Sequence, residues 1–138
     1  EVNLTGTFVV CRGCLPHLRA EGTSTIVNLS SGQGLQPFAR RSAYAASKTD
    51  VAGMTLQMAR DLARSGIRVM AIAPGIFCTT MLAGFSDEIQ AALAAHAQFP
   101  PRLGRPEEFA ALVRHIIENP MLNGEVIRLD AATRMPPK

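Results

Sequence analysis

Apolar positions change their spacing several times along this chain, and each change marks an element. Over residues 2–18, Val2, Phe8, Val9, Val10, Leu15 and Leu18 are separated by few charges. That spacing predicts a largely buried helix that ends near Pro16, where the ring removes a backbone donor. After the turn Ala20-Glu21-Gly22-Thr23, the run Thr25-Ile26-Val27-Asn28-Leu29 is short, β-branched and mostly apolar. It predicts a strand buried on both faces of a parallel sheet, closed by Ser30-Ser31-Gly32.

The next apolar period is helical over residues 42–64. Ala43, Ala45, Ala46, Ser47, Ala52, Gly53 and Ala59 leave room for a second backbone, and Gly66 stops the helix. Residues 67–73 form another buried strand, punctuated by Pro74-Gly75. A connection beginning at Ile76 turns helical over 87–97, with Ser86 and Asp87 as starting residues; long connections of this kind often serve as lids. Pro106-Glu107-Glu108 opens a helix over 106–118 with proline in the first turn and acids at the positive end of the dipole. Residues 124–130 read as a third strand. The alternation predicts an α/β fold with a parallel sheet, right-handed crossovers and helices on both faces. In such sheets ligands collect at the strand carboxyl ends, here Ser30-Ser31, Pro74-Gly75-Ile76 and Asp130-Ala131.

Composition narrows the picture by exclusion. The 138 residues suffice for one core. Fourteen Lys and Arg against eleven Asp and Glu give a net charge of +3, with Arg40-Arg41 as the one adjacent basic pair, and there is no Trp. Neither a basic stripe nor stacking platforms for a nucleic acid are present. No apolar run reaches the roughly 20 residues that cross a bilayer, so neither nucleic acid nor membrane is an expected partner. Cys11-Arg12-Gly13-Cys14 with His17 has the spacing of a dithiol or half a metal site, but no second close pair completes four ligands. We read these cysteines as small buried thiols on a helix, with no metal. Three cysteines, an odd number, fit a reducing compartment better than a disulfide framework.

The chemistry centres on Tyr44-Ala45-Ala46-Ser47-Lys48. Residues four apart share a helix face, so phenol and ammonium can share a site. A free phenol titrates near ~10, and a neighbouring cation favours its ionised form, which suits Tyr44 to exchange a proton with a carbonyl or alcohol oxygen. Ser31, just past a buried strand, can hydrogen-bond the same oxygen. Taken singly, Ser31 is a turn residue and Tyr44 an interfacial tyrosine; together with Lys48 they form a constellation.

That constellation resembles the short-chain dehydrogenase/reductase family. Val2-Asn3-Leu4-Thr5-Gly6, Ala73-Pro74-Gly75-Ile76-Phe77-Cys78-Thr79 and Arg105-Pro106-Glu107-Glu108 extend the resemblance over nearly the whole chain. The resemblance implies the C-terminal half of a Rossmann-like, doubly wound parallel sheet. It further implies Tyr44 as catalytic acid/base, Lys48 on the nicotinamide ribose, Ser31 orienting the carbonyl and Asn3 supporting a proton relay to Lys48. Pro74, Gly75, Ile76 and Thr79 match a loop that meets the nicotinamide end. Ser31, Gln33, Phe38 and Arg41, with Arg40 beside it, would face substrate. The strongest likeness, through Ile116 to Asp130, is to members that use NAD to oxidise 3-hydroxyacyl-CoA thioesters and hydroxysteroids. It implies an acyl-CoA substrate and a homotetramer, with a homodimer as the lesser form.

Two departures stand out. Asp130 is followed by Ala131-Ala132 where the family commonly has glycines. No Gly-rich turn follows a first strand, and Gly32-Gln33-Gly34 does not qualify because it follows the catalytic strand. We therefore expect residues 1–138 to be the catalytic half of one domain, with the cofactor half absent and the choice between NAD and NADP left open with it. A non-catalytic module that associates through its helices is the alternative function. The expected compartment is the cytoplasm, with the mitochondrial matrix as alternative.

Overall fold

The computed structural model describes residues 2–36 and 40–134. A π-helical segment, Val2–Gly6, leads into α1 (Thr7–Ala20), followed by β1 (Ser24–Leu29), α2 (Ser42–Leu62), β2 (Ile67–Pro74), α3 (Thr80–Ala83), α4 (Asp87–Ala94), α5 (Pro106–Glu118) and β3 (Val126–Leu129). The strands lie in the order β1-β2-β3 and both pairs are parallel, with Ser24 opposite Ile67 and Ala71 opposite Val126.

The two-residue period of β2 divides the core. Ile67 and Val69 face α1 and α2, meeting Leu15, Leu18, Met58, Ala59 and Leu62. Met70 and Ile72 face α5, meeting Phe109, Leu112, Val113 and Ile116. With both faces covered, residues 69–73 of β2 lose all solvent contact. Each large side chain buried this way contributes about 1.5–3 kcal/mol. Because α2 and α5 lie on opposite faces while the strands advance in one direction, the two crossovers have opposite hands. The expectation of right-handed crossovers therefore holds for one at most. The second connection passes through α3 and α4 before α5, which frees it from the constraint a single crossover helix imposes.

Several expected elements need correction. Pro16 does not end α1, which runs on to Ala20. A proline costs the helix one hydrogen bond, and Leu15 and Leu18 hold this stretch against the core. Nor is α1 largely buried, since Phe8, Val9 and Val10 remain exposed and Cys11 alone is buried. The thiols divide likewise: Cys11 is buried and Cys14 exposed. Burial pushes the Cys11 thiol up, against the opposing hydrogen bond with Asn28. The strand β1 is mostly half-buried because it forms one edge of this sheet, and Leu29 is exposed beyond the reach of α5. The long helix closes at Leu62 into a 3-10 turn, Ala63–Ser65, and Gly66 supplies the left-handed stop at φ 68°. The helix expected over 87–97, α4, ends at Ala94. By contrast, α5 occupies its expected residues, with proline at its start and the Glu108 carboxylate accepting the Arg105 backbone N–H.

Candidate active site

At the carboxyl end of β1, pairing continues for one residue as the Ser30 N–H donates to the Ile72 carbonyl at 2.8 Å. Ser31 follows in extended backbone and caps a 3-10 turn, Gly32–Gly34. Its Oγ accepts the Gln33 N–H at 3.2 Å. The Ser31 hydroxyl proton has no acceptor among the described residues, although the residue is 9 % exposed. A buried hydroxyl with a spare donor is costly unless a ligand uses it.

Tyr44 lies in the first turn of α2 and Lys48 one turn later. Tyr44 is 38 % exposed, and its hydroxyl has no partner among the described residues. Lys48 is 9 % exposed and donates from Nζ to the Leu29 carbonyl at 2.8 Å. An ammonium has three donors, so two remain for a ligand. The ammonium is thus anchored at the end of β1, while the phenol one turn away stays open. Asn3 sits in the π-helical segment, which packs against α2, and its carbonyl accepts the Thr7 hydroxyl at 2.8 Å. Short π segments recur at functional sites.

The loop after β2 is tied on two sides. Gly75 N–H donates to Leu129 O at 2.9 Å. A β-carbon on Gly75 would come within 2.8 Å of Asp130 Cα, so only glycine allows this approach. Further along, Gly104 N–H donates to Ile76 O at 2.9 Å and Cys78 N–H to Gly104 O at 2.8 Å. Thr79 is exposed and caps α3, accepting from Leu82 N. A cleft of about 50 Å³ brings Ser31, Gln33, Pro74, Gly75 and Ile76 together. A larger cavity of about 240 Å³ extends under α4 and shares Ile76 and Thr133 with the cleft. Gln33 keeps a buried Oε1 without a partner. Arg40 and Arg41 are exposed at the start of α2 and do not line the cleft; Phe38 lies outside the described residues.

Sequence reasoning missed the polar residues that complete this cleft. Arg128 and Gln36 line it, with Arg128 donating to Gln36 Oε1 at 3.4 Å and to Asp130 Oδ2 at 2.6 Å. Arg134 adds a second cation to Asp130 at 3.1 Å. Beyond Asp130, Ala131 and Ala132 hold φ of 48° and 55°, the left-handed region that glycine enters freely. Their departure from the family's glycines was visible in the sequence; its conformational meaning was not. At the start of α5, Arg102 forks onto Glu108 at 2.6 and 2.9 Å. The Arg102 fork, helped by the Arg105 backbone N–H, lowers the Glu108 carboxyl from 4.5 to about 2.

Ser31 and the Lys48 ammonium meet the carboxyl end of β1, while Tyr44 stands one turn before Lys48 on α2 and neither Tyr44 nor Lys48 lines the cleft; comparison with known proteins gives this parallel α/β sheet a family. Residues 1–90 match the model described as short chain dehydrogenase, and the chain belongs to that family. It is 47% identical to the 3-hydroxyacyl-CoA dehydrogenase type-2 of Rattus norvegicus over 99% of its own length and 55% of the relative's. The solved structure of the 3-hydroxyacyl-CoA dehydrogenase type-2 from Mycobacterium avium superposes with a TM-score of 0.91 at 40% identity, covering 98% of this chain and 55% of that one. A 4-hydroxyisoleucine dehydrogenase complexed with NADH reaches a TM-score of 0.83 at 28% identity, covering 94% of this chain and 55% of that one. The chain spans about half the length of the curated relatives it matches.

Proposed function

We propose that the protein interconverts a secondary alcohol and a ketone with NAD, and that its substrate is a 3-hydroxyacyl-CoA thioester or a hydroxysteroid. One observation carries the reading: the Ser31 hydroxyl proton, the Tyr44 hydroxyl and two Lys48 donors are all left without partners among the described residues, at the end of one strand and on the helix that follows it. A module released from catalysis would have no chemical reason to keep all three.

The residues present fit the nicotinamide and ribose end of the cofactor. Lys48 has the spare donors a ribose diol needs, and Pro74, Gly75, Ile76 and Thr79 lie at the carboxyl edge of β2. NAD supplies the acceptor for hydride leaving the carbinol carbon. Tyr44 takes the proton from the substrate hydroxyl, and Ser31 donates to the same oxygen and holds it in line. Lys48 would hold the ribose through its spare donors, with Asn3 supporting the return of the proton. Gln33 offers an acceptor beside Ser31, while Arg41, at the start of α2 and outside the cleft, would meet only a substrate that extends beyond it. On this reading a Gly-rich turn for the cofactor's pyrophosphate would have to come from outside these residues.

Val2 in the π-helical segment, Phe8, Val9 and Val10 on α1 and Leu56 on α2 give exposed apolar surface that a second copy would cover, and we infer a homotetramer, or a homodimer as the lesser form. Three free thiols suit a reducing compartment, cytoplasm or mitochondrial matrix, and fatty-acid metabolism would be the setting. Among the described residues no helix is long and apolar enough to cross a membrane.

The test is NADH formation from a 3-hydroxyacyl-CoA by the purified protein, with intact mass measured on the same sample to establish whether the cofactor half is present. Tyr44→Phe deletes one hydroxyl and should abolish turnover with an unchanged circular dichroism spectrum. Retained turnover would refute the role given to Tyr44.

A further inference from the structure

The active-site serine is clamped onto the active-site helix at two adjacent residues. On one side of Ser31, the Ser30 hydroxyl, 2 % exposed, donates to the Lys48 carbonyl at 2.7 Å. On the other side, Thr49 Oγ1 lies 2.7 Å from the Gly34 carbonyl and 2.9 Å from the Ala45 carbonyl, so its one proton is shared between the loop and its own helix. Between these points the loop is stiffened by Gly34 N–H to Ser31 O at 3.0 Å and Leu35 N–H to Gly32 O at 3.2 Å. A β-carbon on Gly34 would sit 2.8 Å from Lys48 C and Thr49 N, so the two backbones are in direct contact. A single attachment lets a loop pivot on a helix. Two attachments, before and after Ser31, remove that freedom.

We propose that Thr49 is a positioning residue: through the Gly34 carbonyl it sets the distance of the Ser31 hydroxyl from Tyr44 and Lys48 on α2. Thr49 touches neither substrate nor cofactor; it acts on the loop, and its contribution to rate rests on the proposed dehydrogenase reading. A reacting oxygen held by both Ser31 and Tyr44 tolerates little displacement, since errors near 1 Å can cost ~100-fold in rate. The remaining clamp at Ser30 limits the slip when Thr49 is lost, so the expected loss is smaller, roughly tenfold in kcat. Lys48 keeps its own bond to the Leu29 carbonyl, so cofactor affinity should not change.

The experiment compares Thr49→Val, which keeps the shape and removes the hydroxyl, with Thr49→Ser, which keeps the hydroxyl. Two readouts are taken on each. Amide hydrogen exchange at Gly34 and Leu35 reports the clamp without any need for turnover, and steady-state kinetics with NADH titration report its effect. In the valine variant we expect exchange at both amides to rise about tenfold, kcat to fall about tenfold with NADH affinity unchanged, and the serine variant to match the parent in both readouts within about twofold. Unchanged exchange in Thr49→Val would overturn the clamp, whatever substrate the protein uses. Faster exchange with unchanged kcat would overturn the positioning role. Loss in both variants alike would mean that Thr49 only packs, which also overturns it. If the parent protein does not oxidise a 3-hydroxyacyl-CoA, the substrate reading fails on that result, and the exchange data still decide the clamp.

Discussion

The two flanks of this small sheet are finished to different degrees. On the flank of β2, β3 and α5 the groups facing the sheet are accounted for, although Ile117 and Met121 stay exposed on its outer side. Met70, Ile72 and Ile116 are fully buried, and Arg68 donates to the Ile116 and Ile117 carbonyls at the end of α5 and to the Leu122 carbonyl in the turn beyond it, at 2.7–2.9 Å. Arg102 closes on Glu108 at the other end of the same helix. On the flank of β1 and α1 the accounts stay open. Leu29, Phe8, Val9 and Val10 are exposed, and Asn28 keeps a buried Nδ2 without a partner among the described residues; β1 is an edge strand, as β3 is on the other side. The open flank includes β1, whose carboxyl end carries Ser31 and anchors Lys48. The proposed chemistry therefore sits on the flank that leaves Leu29, Phe8, Val9 and Val10 exposed.

The comparison can be broken most severely by asking the same question of each flank. Ile72→Ala removes a fully buried side chain from the closed flank and should cost about 2–5 kcal/mol in urea unfolding. Val10→Ser, at a residue 64 % exposed, should change the stability of an isolated chain by no more than about 0.5 kcal/mol while lowering the sedimentation mass of any assembly. Equal losses from the two substitutions would mean that the flanks do not differ as described.

A smaller loss should follow from Arg68→Met. The thioether fills part of the space but leaves two carbonyls at the end of α5 and one in the turn beyond it without their charged donor. The expected cost is about 2 kcal/mol, with hydrogen exchange rising first in the last turn of α5. Exchange rising first in α1 would place the weak point on the wrong flank.

The same contrast explains what could be read from the sequence and what could not. The extent of α5 was legible because its signals are local: a proline at the start, acids in the first turn and an apolar stripe. The core strand β2 was legible because both its faces are covered, which writes an unbroken apolar run. Ser31, Tyr44 and Lys48 could be placed on their elements because spacing along a helix and position after a strand are properties of short segments. The errors arose where distant residues decide. Pro16 is tolerated because Leu15 and Leu18 are packed by α2 and the strands. The contact between Arg128 and Gln36 joins residues 92 apart, and the clamp of Ser30 and Thr49 spans a loop whose docking no local pattern announces. The exposure of α1 depends on a neighbour that apolar spacing alone cannot distinguish from the chain's own core.

Ala131 and Ala132 allow a test with the opposite sign. Both hold left-handed backbone, where an alanine costs roughly 1–2 kcal/mol relative to its preferred regions. Glycine removes that cost but gives the unfolded chain more freedom. Ala131→Gly and Ala132→Gly should each stabilise by about 0.5–1 kcal/mol, seen as a rise in the thermal midpoint. The turn they form accepts Gln98 N–H at Ala131 O, 2.9 Å away, so it belongs to the closed side and tethers the segment after α4. Destabilisation by either glycine would show that the strain is absent or serves a contact that needs the methyl group.

The mildest test uses acid, because it acts on one carboxylate of the closed flank and leaves neutral pH untouched. The Arg102 fork and the Arg105 backbone N–H lower the Glu108 carboxyl from 4.5 to about 2. A group depressed in the folded protein contributes stability that is complete above its unfolded value and lost as pH falls through its folded one. The Glu108 contribution should therefore be intact above about pH 4.5 and disappear between there and about pH 2. Glu108→Gln keeps the shape of the cap but cannot ionise, so the variant should lack this part of the decline while other carboxylates still titrate. Thermal midpoints of parent and variant taken through that window should converge as pH falls. A constant gap between them would mean that the ion pair is not what holds the start of α5, and the closed flank would then rest on its apolar core alone.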